Sequence, residues 1–133
     1  MEALKILLVD DNVKFINSAV RYLNSSLNFE LISWAESGED ALQKLDDFEP
    51  NLIIMDISMK GLNGLETTKK IRKAHPNIKI IVLTIGKEGE YRGEAIAAGA
   101  NDFLSKSDFG PLLFGKIESL FGKSFSKKSP QKE

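Results

Sequence analysis

LKILLVDDN, residues 4–12, is the stretch on which the fold turns. An apolar run ends on two adjacent aspartates, and the residues after it have helical spacing. Asp10 and Asp11 repel each other at a point where a buried strand is ending. A partly buried charge is costly unless something pairs with it. The pair therefore calls for a positive partner.

Apolar runs of the same kind recur: FELISW (29–34), NLIIMD (51–56), IKIIVL (78–83) and the briefer DFL (102–104). LIIM and IIVL do not alternate apolar with polar, the pattern of a strand buried on both faces, as in a parallel sheet. Between the runs, Val13, Ile16, Ala19 and Leu23 share one helical face. Ser37 begins a capping box, S-G-E-D, ahead of Ala41, Leu42 and Leu45, and Pro50 then precedes the next strand. Leu65, Thr68, Ile71 and Arg72 form another periodic set, closed by His75-Pro76. Asp108 and Pro111 open a last helix carrying Leu113, Ile117 and Leu120. This alternation predicts an α/β fold, (βα)5: a five-stranded parallel sheet with right-handed crossovers and helices on both faces.

The bulk numbers agree with one domain. The chain has 133 residues, 42% hydrophobic and 28% charged, enough for a core and unlike a disordered chain. A net charge of -1 gives no electrostatic footprint for nucleic acid, and no basic amphipathic face stands out for a membrane. With no cysteine, a disulfide scaffold, a thiolate metal site and a cysteine nucleophile are excluded. The first apolar run is too short for a signal peptide or membrane span and is broken by Asp10, so the expected location is cytoplasmic. Residues 1–121 read as the domain, and GKSFSKKSPQKE (122–133) as a flexible basic tail or linker.

Ligands of an open α/β sheet bind at the carboxyl ends of its strands. Those ends hold Asp10 and Asp11, Trp34-Ala35, Asp56, Thr84 and Ser105-Lys106. With the flavodoxin-like strand order 2-1-3-4-5, Asp56 lies between the first-strand acids and Thr84, and Lys106 one strand beyond. Three carboxylates with oxygen-only neighbours suit a hard cation such as Mg²⁺. The lysine adds a mobile point charge able to meet a phosphoryl oxygen.

Each residue also has a plain structural reading. Asp11 can be a helix N-cap and Asp10 a solvated turn residue; Asp56 can be a turn carboxylate. Thr84 can be ordinary strand-end threonine, Lys106 a surface lysine and Phe103 core. It is their order and spacing together that is specific.

VDDN (9–12), MDISM (55–59), Thr84 and GANDFLSK (99–106) together resemble the receiver domain of two-component response regulators, over roughly residues 4–121. LNGLETTKKIR (62–72) and FLSKSD (103–108) are most similar to the subfamily with LuxR-type helix-turn-helix output domains. The resemblance implies a signalling module and not a metabolic enzyme. Asp56 would accept a phosphoryl group from a histidine kinase or phosphotransfer protein. Asp11 would bind Mg²⁺ directly, Asp10 through water, and Ser58 through its backbone carbonyl. Thr84 would close on the phosphoryl group, Lys106 would pair with it, and Phe103 would turn inward as the aromatic switch. The output face would be the fourth helix, fifth strand and last helix, with a homodimer as one possible assembly. DNA would be met only through an output domain of a transcriptional parent. The alternative is a phosphorylation-independent adaptor that binds a protein partner. A dehalogenase-type hydrolase wants D-x-D after the first strand, where this chain has D-D-N.

Three positions depart from the family pattern. Lys60 replaces a usual proline, Ile85 a small residue after Thr84, and Gly86 a residue often polar. Lys60 would loosen its loop and add a positive charge nearby, while Ser58, Ile85 and Gly86, around the expected water path, lead to an expected unusual rate of dephosphorylation. Gly89 and Gly93 predict a marginal fourth helix within 87–100, since each glycine costs about 1 kcal/mol against alanine in a helix interior. Leu112, Phe114 and Phe121 lie off the last helix's apolar stripe and are either partner contacts or core.

Overall fold

Strand and helix alternate five times: β1 (Leu4–Val9), α1 (Val13–Leu23), β2 (Phe29–Ala35), α2 (Gly38–Lys44), β3 (Leu52–Asp56), α3 (Gly64–Ala74), β4 (Lys79–Thr84), α4 (Arg92–Ala98), β5 (Asp102–Ser105) and α5 (Phe109–Phe121), the last entered through a 3₁₀ turn at Lys106–Asp108. The computed structural model describes residues 3–26, 29–59, 63–85 and 91–122. All strand pairs are parallel, and the sheet order is β2-β1-β3-β4-β5, as the sequence predicts.

The order explains the layers. The chain leaves β1 in one direction to form β2, then returns past it to form β3. A right-handed crossover therefore puts α1 on one face and α2 on the other. Alternate strand residues serve the two faces. Ile6, Leu8, Ile54, Ile81, Leu83 and Leu104 pack with Ile16, Ala19 and Leu23 of α1 and Phe109, Leu113 and Ile117 of α5. Leu7, Val9, Ile53, Met55, Ile80 and Val82 pack with Ala41, Ile71 and Ala95 of α2, α3 and α4. Each fully buried Ile or Leu contributes about 1.5–3 kcal/mol through burial. The apolar residues of β3 are therefore covered on both sides, which is why that run lacks alternation.

Several local expectations need correction. Val13 is 57% exposed, so the buried stripe of α1 is Ile16, Ala19 and Leu23. The N-cap of α1 is Asn12, whose Oδ1 accepts from Phe15 N at 3.0 Å, and not Asp11. Ser37 does cap α2, its Oγ accepting from Asp40 N at 3.0 Å, but the Asp40 carboxylate accepts from Glu36 N, at 3.4 Å, rather than from Ser37 N. Phe114 and Phe121 pack against the core, whereas Leu112 is exposed. Helix α4 is short, beginning at Arg92. Lys60, Gly86, Gly89 and the stretch from 123 lie outside the described residues.

Arg72 does more than its place in the α3 periodicity predicts. Its guanidinium donates to Gly99 O at 2.9 Å, His75 O at 3.2 Å, Pro76 O at 2.9 Å and Asn101 Oδ1 at 2.8 Å. Asn101 Oδ1 in turn accepts from Ile80 N at 2.8 Å. One side chain thus ties the end of α3 to the turn between α4 and β5. That turn depends on Gly99, which has φ 109° and whose missing Cβ leaves room for the Arg72 stem. Arg72→Ala is expected to destabilise the fold by about 2–3 kcal/mol, because several charge-assisted bonds go at once. Urea unfolding checks this; a loss below about 0.5 kcal/mol, the level of an ordinary surface substitution, would contradict it.

Candidate functional site

The carboxyl edge of the sheet gathers what the strand ends carry. Asp10 follows β1 and is fully buried, its backbone N–H donating to Ala35 O at 3.0 Å. Its Oδ1 accepts from Asn12 N at 2.9 Å, and this bond turns the chain into α1. Asp56 is the last residue of β3 and only 1% exposed. Its Oδ1 accepts from Ser58 N at 3.2 Å. Asp11 and Ser58 are exposed at the rim. One carboxylate oxygen from each of Asp10, Asp11 and Asp56 lies within 4.8 Å of the other two, a set that can hold a metal ion.

Lys106 reaches into this group from the end of β5. Its Nζ lies 2.7 Å from Asp10 Oδ2 and 3.8 Å from Asp56 Oδ2. The shorter contact has the distance of an ion pair but not the alignment of a directed hydrogen bond, so Asp10 Oδ2 stays without a hydrogen-bond donor. Among the described residues, Lys106 is the ammonium that the structure pairs with the buried carboxylates Asp10 and Asp56. The pKa of Asp56 is raised from 3.8 to about 6. Burial is the largest cause and the Asp10 charge the next; Lys106 and the Ser58 N–H pull the other way, and Asp11 adds a smaller upward push. A buried acid made this uncomfortable is a place for a cation.

Thr84 ends β4, buried, in register with Ser105. Ile85 beside it is 72% exposed. Phe103 is 6% exposed and already inward, with Arg92 and Lys116 each 5.4 Å from its ring centroid. Lys116 also pairs with Asp102 at 3.2 Å. All seven residues singled out in the sequence thus stand on or next to one edge. Trp34, next to last in β2, is exposed.

Gly64 was not singled out. It is the first residue of α3, where Asn63 Oδ1 caps the helix by accepting from Glu66 N at 2.9 Å. A Cβ at Gly64 would lie 2.0 Å from the carbonyl oxygen of Asp56 and 2.7 Å from Ile57 Cα. The helix start therefore presses on the backbone of Asp56 itself. The available signal was glycine directly after an N-capping asparagine, downstream of MDISM.

Comparison with known proteins places the chain in a family. The family model described as response regulator receiver domain matches residues 6–113. Response regulator GacA of Pseudomonas syringae is 32% identical over 77% of this chain and 48% of its own length. Transcriptional activator protein ExaE of Pseudomonas putida is 37% identical over 77% of this chain and 48% of its own. The chain thus spans about half the length of these curated relatives. A DNA-binding response regulator of the LuxR family from Staphylococcus aureus superposes with TM-score 0.80 at 27% identity, covering 88% of this chain and 98% of that one. Among the described residues, no helix is long and apolar enough to cross a membrane.

Proposed function

The chain belongs to the response regulator receiver domain family, and from that premise we propose that it accepts a phosphoryl group on Asp56 from a histidine kinase or phosphotransfer protein, with Mg²⁺ bound beside it. The observation that carries this reading is a buried Asp56 with a raised pKa, facing two further acids and a lysine. Asp10, Asp11, Asp56 and the Ser58 carbonyl would hold the ion. When bound, Mg²⁺ supplies the positive charge that lets a phosphoryl group approach three carboxylates. The residues of the chain do the rest. The Asp56 carboxylate attacks phosphorus, the O–P bond forms, the donor's P–N bond breaks, and the electron pair stays on the imidazole nitrogen. Lys106 exchanges its contact with Asp10 for one with the new phosphoryl oxygens. Thr84 offers them its hydroxyl, and Phe103 follows in the packing between α4, β5 and α5.

The product is a signalling state and not a released metabolite. Relatives include a transcriptional regulatory protein of Brevibacillus brevis and the transcriptional activator of Pseudomonas putida, which supports a DNA-binding parent, cytoplasmic, in which this domain switches the output face or a dimer. The test is incubation with acetyl phosphate or phosphoramidate, followed by intact mass. One phosphoryl adduct is expected, absent without Mg²⁺ and absent from Asp56→Asn. No adduct with either donor would overturn the reading in favour of a phosphorylation-independent adaptor.

A further inference from the structure

Lys106 has an aromatic neighbour as well as its acids. Its Nζ lies 4.6 Å from the ring centroid of Phe15, in the first turn of α1. The backbone of that turn is fixed by the site, since Phe15 N donates to the Asn12 cap at 3.0 Å and Asn12 N donates to Asp10 at 2.9 Å. The ring is fixed from the lysine's own side of the fold. Phe109, three residues after Lys106, meets Phe15 edge-on, with centroids 5.2 Å apart and planes at 79°. Tyr22 backs Phe109 at 5.7 Å, and its hydroxyl donates to Gly110 O, so the file is tied to α5.

A ring face attracts an ammonium through its quadrupole and does not demand one direction of approach. Lys106 needs that property, because its contacts lie in two places: 2.7 Å from Asp10 and 3.8 Å from Asp56. We propose that Phe15 is a positioning residue for Lys106. The ring keeps the ammonium inside the site while it passes from Asp10 to a phosphoryl group on Asp56, so it does not swing into solvent. This rests on the phosphoacceptor reading above. Leucine fills a similar space but has no π face to offer.

The test compares Phe15→Leu and Phe15→Tyr with the unsubstituted protein, measuring adduct formation from phosphoramidate with Mg²⁺. Phe15→Leu is expected to slow it roughly five- to tenfold, and Phe15→Tyr to restore it. In a Lys106→Ala background, Phe15→Leu should slow it no further, the mark of two residues acting through one contact. A second readout needs neither metal nor phosphate. In NMR spectra the Lys106 ε-methylene protons should be shifted upfield by the ring, an effect lost in Phe15→Leu and kept in Phe15→Tyr. Equal rates for Phe15→Leu and the unsubstituted protein would overturn the role of Phe15 alone, as would equal slowing by Leu and Tyr, or full slowing without Lys106. No adduct on the unsubstituted protein would overturn the phosphoacceptor reading and this role with it, whatever the NMR shift.

Discussion

Asp56→Asn is expected to make the metal-free protein more stable, by roughly 2–3 kcal/mol well above pH 6. The carboxyl titrates near 3.8 when unfolded and at about 6 in the fold. Between those values the native state binds more protons than the unfolded chain. Stability therefore falls as pH rises through that window and stays low above it. The amide keeps the shape and can keep the Ser58 N–H bond, but it carries no charge to bury against Asp10. Lys106 retains its 2.7 Å partner. Urea unfolding of both proteins, with chelator present, should show a gap that opens between pH 4 and 6 and closes below it. Added Mg²⁺ should stabilise the unsubstituted protein more than the variant. Parallel pH curves would mean that Asp56 is not a strained acid.

Gly64→Ala is expected to cost about 3 kcal/mol or more and to disable the site. A methyl group 2.0 Å from a backbone carbonyl oxygen cannot be relieved by rotating a side chain. Either α3 must lift or the end of β3 must shift, and overpacking of this kind costs about 1–3 kcal/mol even where neighbours can yield. Both movements pull on Asp56, so adduct formation should fall with stability. Gly93→Ala is the control. Nothing stands within 4 Å of a Cβ there, and alanine should stabilise α4 by up to about 1 kcal/mol. Comparable losses at the two glycines would contradict the close approach at Gly64.

Gly64 marks where sequence reading stops. Strand positions were legible because doubly covered β3 and β4 leave unbroken apolar runs, and those runs end on the residues that face the site. Asp10, Asp56 and Thr84 could therefore be placed on one edge from strand ends alone. Gly64 was illegible for the opposite reason: it acts through a missing atom against a backbone that comes close only after folding. The roles of Arg72 and Phe15 are equally hidden in the sequence. Each looks like one more position on a helix, and their partners are Gly99, Asn101 and Lys106, far along the chain. Val13 has the spacing of a core residue, yet sits where α1 emerges at the rim and stays exposed.

The central claim is that Asp56, and neither of its two neighbouring acids, becomes the acyl phosphate. Borohydride reduction after phosphodonor treatment tests it most directly. Hydride reduces the acyl carbonyl to an alcohol, phosphate leaves, and the modified aspartate is left as homoserine for peptide mapping. The account predicts homoserine at position 56 alone, in amounts that follow Mg²⁺. Homoserine at Asp10 or Asp11, or none where a phosphoryl adduct was present, would contradict it.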